Sequence, residues 1–277
     1  MSQNDRTRPG RESQILDDLT LLVARAADAI LAVSPSQLDA RLKSDRSPVT
    51  AADEASDAVI AEGLARLMPG IPVVSEERIE RAAPPGLGDM FVLVDPLDGT
   101  KELLAGRDEF TINVAVVIRG RPALGIVAAP ALGLLWRGLV GGGAARMRLP
   151  LAGRPCEGRP IATRRRPPQG LVATVSRSHL DVATEAFLGR LPVAARAACG
   201  SALKLCRVAE GSADVYPRLS PTCEWDICAG HAVLAAAGGT VVDPAGEPLH
   251  YGNAAGGFRI PAFVAWGDPD AVVRPDA

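Results

Sequence analysis

Phe91-Val92-Leu93-Val94-Asp95-Pro96-Leu97-Asp98-Gly99-Thr100 is the stretch on which the reading of this chain turns. The apolar run Phe91 to Val94 fits a short buried strand. Asp95 emerges at its end, where layered α/β folds tend to build their sites. Pro96 lacks an N–H and turns the chain, which lets Asp98 point back toward Asp95. Two carboxylates held that close repel each other unless a cation lies between them. Oxygen-only ligands select a hard ion, Mg²⁺ before zinc. Gly99 and Thr100 open a short helix whose free N–H groups suit a phosphate. Alone, the D-x-x-D-G pattern is about as well explained by a plain turn, with Asp95 as a helix cap.

Two further acid sites tip the balance. Glu76-Glu77 closes the apolar run Ile71 to Ser75, and Asp226 follows Trp225 at the start of a helix. Each by itself reads as a surface acid or a charge at a helix N-terminus. Three acid sites, each at a strand end or a helix start, form a constellation.

The rest of the chain supplies a scaffold of the right kind. Ile15, Leu19, Leu22, Val23, Ala26 and Ile30 recur at helical spacing and predict an amphipathic helix that ends before Ser34-Pro35. After the polar loop Lys43 to Pro48, Thr50-Ala51-Ala52-Asp53 fits a capping box. The helix it opens buries Ala55, Val59, Ile60, Leu64 and Leu67 and stops at Pro69-Gly70. Ala82 to Gly88 reads as a loop able to move over a site. Residues 110–150 alternate as antiparallel sheet. Arg164-Arg165-Arg166-Pro167-Pro168 reads as a solvated linker. Beyond it strands and helices alternate: Leu171 to Val175, a helix near Ala183 to Leu191, Val193 to Ala198, a helix through Leu205 to Ala209, another from Trp225 to Ala237, and Thr240 to Asp243. The expected architecture is an α/β layered sandwich in two lobes. A disordered start spans 1–11, a lobe carrying the metal site 12–165, and a lobe carrying substrate contacts and Asp226 166–277.

Composition narrows the function. Lys and Arg number 30 against 32 acids, and aromatics make up 4% of the 277 residues, so neither a basic surplus nor a base-stacking surface points to nucleic acid. Five cysteines, an odd count without framework spacing, read as reduced thiols. The polar N-terminus has no apolar signal core, and no apolar run is long enough for a bilayer. The expected location is cytoplasmic, with peripheral association to the cytoplasmic face of the inner membrane left open.

These segments together resemble the lithium-sensitive inositol monophosphatase superfamily, and within it the 3′(2′),5′-bisphosphate nucleotidases of the CysQ type. The matching residues are Ser47 to Asp53, Ser75-Glu76-Glu77, Asp95 to Glu102, and Trp225-Asp226 with Ala229-Gly230. The resemblance implies the αβαβα layer order of that sugar-phosphatase-like fold. It also implies two or three Mg²⁺ ions held by Glu76, Asp95, Asp98, Asp226 and the main-chain carbonyl of Leu97. Thr100, paired with Asp53, would orient the attacking water, with Glu76 also catalytic and Gly99 and Thr100 binding phosphate. A capping role for Asp53 stands beside the catalytic one.

Substrate choice falls on Ser176, Arg177, Ser201, Lys204 and Arg218, which are similar to nucleotidase segments. Lys204 offers a point charge and Arg218 a fork suited to phosphate oxygens. For Arg177, ordinary surface basicity is an equal reading. The implied partner is a small phosphorylated nucleotide, with no nucleic acid and a homodimer as the assembly to consider. The implied reaction is hydrolysis of adenosine 3′,5′-bisphosphate to AMP in sulfur assimilation, with the sulfated nucleotide as a second substrate. The chain departs from the family at Ala202, where a second serine is usual, and at Glu224. An inositol or sugar phosphatase is the nearest rival, a non-catalytic metal- or phosphate-binding module a more distant one. Cys223, Cys228 and His231 form a weak zinc pattern that lacks a fourth ligand.

Overall fold

The computed structural model describes residues 9–34, 38, 41–42, 48–79, 86–149, 158–177 and 181–273. Residues 1–8, Lys43 to Ser47, residues 82–85 of the proline-rich loop, Cys156, Ser178 and His179 lie outside the described residues.

Helix α1 (Pro9–Ala32) already includes the last three residues of the expected disordered start, with proline placed where its missing N–H costs nothing. A short antiparallel pair, β1 (Arg41–Leu42) and β2 (Pro48–Val49), leads into α2 (Ala51–Leu67). Thr50 caps α2, and the capping box with Asp53 is formed. Leu67, expected in the core, is 40% exposed, because the helix ends on the solvent side and Met68 buries in its place.

Seven strands make the first sheet, in simple sequence order. They are β3 (Val73–Ser75), β4 (Met90–Asp98), β5 (Thr111–Ile118), β6 (Arg121–Ala129), β7 (Leu134–Leu139), β8 (Gly143–Arg148) and β9 (Arg159–Ile161). Only β3 and β4 run parallel, joined through the short helix α3 (Glu76–Ile79). Helix α4 (Thr100–Leu104) follows β4.

Alternation along β4 and β5 explains the layering. Val92, Val94, Ile112, Val114 and Val116 face α1 and α2. Phe91, Leu93, Ala115 and Val117 face the opposite side and join a second core. Both faces of this antiparallel sheet are covered, so its strands read as nearly continuous apolar runs.

The chain then forms β10 (Leu171–Ser176), α5 (Val182–Leu188), β11 (Val193–Cys199), α6 (Leu203–Ala209), β12 (Val215–Arg218), β13 (Thr222–Cys223), α7 (Glu224–Ala236), β14 (Thr240–Val242), β15 (Arg259–Ile260) and β16 (Phe263–Trp266). A five-stranded sheet has the order β11-β10-β12-β16-β14, and β13 pairs with β15. Helices α6 and α7 lie between the two sheets, in one core with residues from both. Phe187 and Leu188 of α5 cover the far face of the second sheet. The layers therefore run αβαβα.

Close approach of α7 to the first sheet needs small residues. A Cβ on Gly125 would meet the Ala229 carbonyl oxygen at 2.4 Å, and one on Gly138 would meet Ala236 Cβ at 2.8 Å. That contact delivers the N-terminus of α7, with Asp226, to the end of β4. The arginine run is solvated, as expected, but it is also anchored. Arg164 forks onto buried Asp214 at 2.7 and 2.8 Å, and Arg165 pairs with Asp270 at 2.7 Å. No helix among the described residues is long and apolar enough to cross a membrane.

Candidate active site

The β4–β5 ladder breaks where the sequence says it must. Asp95 pairs with Asn113 and Asp98 with Thr111, so three steps on β4 oppose two on β5. Pro96, which has no N–H to give the ladder, lies inside this bulge. Ser56 of α2 pins it, donating to the Pro96 carbonyl at 2.7 Å. The bulge turns Asp95, Leu97 and Asp98 into a cleft of about 480 Å³ between the two sheets, whose wall also includes Glu76, Thr100 and Asp226.

Carboxylate oxygens of Glu76, Asp95 and Asp226 lie within 4.8 Å of one another. Glu76 starts α3 directly at the end of β3. Asp95 Oδ1 accepts the Leu97 N–H at 3.0 Å. Asp226 uses Oδ2 for the Cys223 N–H at 3.1 Å and for the Thr222 hydroxyl, the capping box of α7. In Asp95 and Asp226, one carboxylate oxygen fixes the local backbone and the other is left for the cleft. Local folding thus aims the acids.

Such crowding is costly without a counter-charge. Burial holds the Asp95 carboxyl well above the usual range, and Glu76, Asp98 and Asp226 push the same way. Asp98 is pushed up to about 7 by burial and by Asp226, against the pull of Lys204 and Arg218. Opposite Asp95 across the ladder, the Asn113 side-chain nitrogen is the one buried polar side-chain atom without a partner among the described residues. An all-oxygen set of mutually repelling acids fits a hard divalent cation such as Mg²⁺. Thiols and imidazole are not in this group. His231 Nδ1 instead lies 2.8 Å from the Tyr251 hydroxyl in the core, so the Cys223-Cys228-His231 pattern is not a zinc site.

Asp53 forms the cap of α2 and also meets Thr100 in the cleft. Its Oδ2 accepts from the Thr50 N–H at 2.8 Å and the Thr50 hydroxyl at 2.6 Å. Its Oδ1 accepts the Thr100 hydroxyl at 3.1 Å. The cap spends one oxygen and fixes the other on Thr100. Burial raises the Asp53 pKa despite the bonds from Thr50 and Thr100 that lower it. Gly99, at φ +96°, makes the left-handed turn that starts α4.

All five candidate substrate residues line the same cleft. Several are already committed within the protein. Arg177 forks onto Glu109 at 3.1 and 2.8 Å. The Ser201 hydroxyl donates toward the Asp98 and Glu109 carbonyls, each at 2.9 Å. Lys204 is not a surface cation: it is buried, donates to the carbonyls of Cys199 and Ser201 at 3.2 and 2.7 Å, and lies over the Tyr216 ring. Two of its three protons are thereby used. Arg218 donates to the Pro221 carbonyl at 3.2 Å. Sequence reasoning missed Glu109, a loop acid beside Asp108 that no spacing or motif marks, and Arg259, which lines the cleft from β15.

Known proteins resemble this chain in sequence and in fold. A sequence model described as the inositol monophosphatase family matches residues 12–262. The "3'(2'),5'-bisphosphate nucleotidase CysQ" of Shigella flexneri is 42% identical over 246 residues, covering 86% of this chain and 94% of that protein. A crystal structure of CysQ from Bacteroides thetaiotaomicron, described as a bacterial member of the inositol monophosphatase family, superposes with a TM-score of 0.75 at 30% identity, covering 92% of this chain and 96% of the other. An inositol monophosphatase from Anabaena gives a TM-score of 0.71 at 27% identity, with 93% and 92% covered. With the family model spanning most of its length and its acids gathered in one cleft, this chain belongs to the inositol monophosphatase family.

Proposed function

We propose that this chain is a Mg²⁺-dependent phosphomonoesterase that hydrolyses the 3′-phosphate of adenosine 3′,5′-bisphosphate to AMP and phosphate. The sulfated relative of that nucleotide is its second substrate. The observation that carries the reading is the joining, in one cleft, of the Glu76-Asp95-Asp226 cluster with the Thr100–Asp53 pair. The nucleotide half of the reading is supported by the similarity to CysQ proteins.

Glu76, Asp95, Asp98, Asp226 and the Leu97 carbonyl would hold two or three ions. Bound Mg²⁺ supplies the positive charge that polarises water and offsets charge on the leaving oxygen. The chain's own residues do the rest. Thr100 gives its proton to Asp53 Oδ1, which leaves a lone pair of its oxygen to take a proton from the incoming water. A carboxylate with a raised pKa, as burial gives Asp53, is the better proton acceptor. Gly99 and Thr100 present backbone N–H groups to the phosphate being cleaved. Lys204 keeps one proton for the cleft, and Arg218 presents its fork beside it, so the two receive the phosphate that stays.

A phosphate-release assay across substrates tests this. Each charge-assisted contact contributes roughly 1.5–3 kcal/mol, at least about tenfold in kcat/KM. At saturating Mg²⁺, Lys204→Ala and Arg218→Ala should therefore cost hydrolysis of adenosine 3′,5′-bisphosphate at least about tenfold more than that of a substrate with a single phosphate. Equal losses on both would make these residues structural. Strong hydrolysis of inositol phosphate, with no loss in either variant, would assign the chain to the inositol phosphatases of the family.

A further inference from the structure

The turn joining β11 to α6 leans across the acidic loop from the other sheet. Ser201 sits in this turn at φ +48°, a left-handed conformation that a non-glycine residue keeps only where its surroundings hold it. Its hydroxyl lies 2.9 Å from the carbonyl oxygens of both Asp98 and Glu109 and shares one proton between them. The contact is tight, for a Cβ on Gly99 would come within 2.4 Å of Ser201 Oγ. Glu109 holds the same turn from its other end. Its carboxylate accepts the Gly200 N–H at 2.9 Å and the Arg177 fork at 3.1 and 2.8 Å. Lys204 ties the turn's own carbonyls, those of Cys199 and Ser201.

We infer that Ser201 and Glu109 are positioning residues, a latch through which the five-stranded side of the protein sets the place of Asp98 and of the Gly99 turn. A main-chain carbonyl only accepts, and the Ser201 hydroxyl reaches that of Asp98 from the other side of the cleft. With its single proton shared by two main-chain carbonyls, the hydroxyl has no donor left for a nucleotide, and its pull goes to the cation site. Arg177 belongs to the same latch, because its fork is filled by Glu109. The inference rests on the reading of the Asp98 loop as a Mg²⁺-binding loop.

The test titrates Mg²⁺ alone, by calorimetry, into the chelator-stripped full chain as wild type, Ser201→Ala and Glu109→Gln. Melting temperature, kcat and KM for the bisphosphate are measured on the same preparations. The latch predicts Mg²⁺ binding about two- to tenfold weaker in both variants, the range for one lost hydrogen bond. It also predicts a lower kcat at subsaturating Mg²⁺ and an unchanged KM for the nucleotide. A raised KM with unchanged Mg²⁺ affinity would make Ser201 a substrate contact and overturn the inference. Unchanged Mg²⁺ affinity in both folded variants would overturn it as well. Should Ser201→Ala fail to fold, Glu109→Gln carries the test alone, since it keeps the side-chain size and one acceptor. Wild type that takes up no Mg²⁺ sinks the metal reading and the latch together, whereas wild-type binding matched by both variants sinks only the latch.

Discussion

Asp98→Asn should change how the metal-free protein responds to pH. In the folded chain the Asp98 carboxyl is pushed from its ordinary 3.8 up to about 7, first by burial and then by Asp226. A carboxyl with a raised folded pKa binds its proton more tightly when folded than when unfolded. Stability is then fully present below the unfolded pKa and is lost as pH rises toward the folded one. Each tenfold change in proton affinity is worth ~1.4 kcal/mol, so the whole loss comes to roughly 4 kcal/mol, a ceiling because the side chain is only partly buried at the cleft wall. About 2–3 kcal/mol of it falls between pH 5 and pH 8. For a chain of this size that corresponds to roughly 5–10 °C in melting temperature. The assay is thermal or urea unfolding in chelator at both pH values, for wild type and Asp98→Asn. Comparing the two proteins cancels groups that titrate the other way, such as Glu210, whose carboxyl is lowered despite burial by its bonds to Arg207 and Trp136. Asn cannot ionise, so its advantage over Asp98 should widen from pH 5 to pH 8 and disappear in saturating Mg²⁺. A gap that stays constant, or narrows as pH rises, would refute the electrostatic account of the cluster.

Thr100→Ala should lower kcat by about 10²–10⁴ with KM nearly unchanged, because the role proposed for its hydroxyl, on the attacking water, matters most in the transition state. A sharp rise in KM with kcat preserved would make Thr100 a binding residue. Gly125→Ala should destabilise the fold by about 1–3 kcal/mol, since the new methyl meets the Ala229 carbonyl oxygen at 2.4 Å and must push α7 off the sheet. Urea unfolding measures this, and a neutral result would mean α7 is less closely seated than described.

The acids were legible because backbone chemistry marks them. Proline after Asp95 forces the bulge, glycine after Asp98 permits the left-handed turn, and Thr50 with Asp53 announces a helix start. Asp53 illustrates the limit: capping and a catalytic role looked like alternatives, but a carboxylate has two oxygens, and the fold uses one on the Thr50 cap and turns the other to the Thr100 hydroxyl. Strand β12 was harder to see because Pro217 interrupts its pattern, though its neighbour β16 supplies the pairing. Lys204 read as a phosphate-binding point charge, but sequence does not reveal that it is buried with the Cys199 and Ser201 carbonyls turned toward it. Glu109 left no local signal at all. Its meaning comes from Gly200, 91 residues away in the chain, and from Arg177, 68 away. The anchoring of Arg164 was hidden for the same reason, since Asp214, its buried partner, is 50 residues on.

Phosphate release should depend on a cation carried by the clustered carboxylates of Glu76, Asp95 and Asp226. The measurement is phosphate release from adenosine 3′,5′-bisphosphate by chelator-stripped protein as Mg²⁺ is restored, with wild type beside a folded Asp226→Asn variant. No release is expected without Mg²⁺, with recovery on its return in wild type and a rate lower by orders of magnitude in the variant at the same melting temperature. Full turnover by stripped protein, or normal turnover by Asp226→Asn, would contradict that dependence.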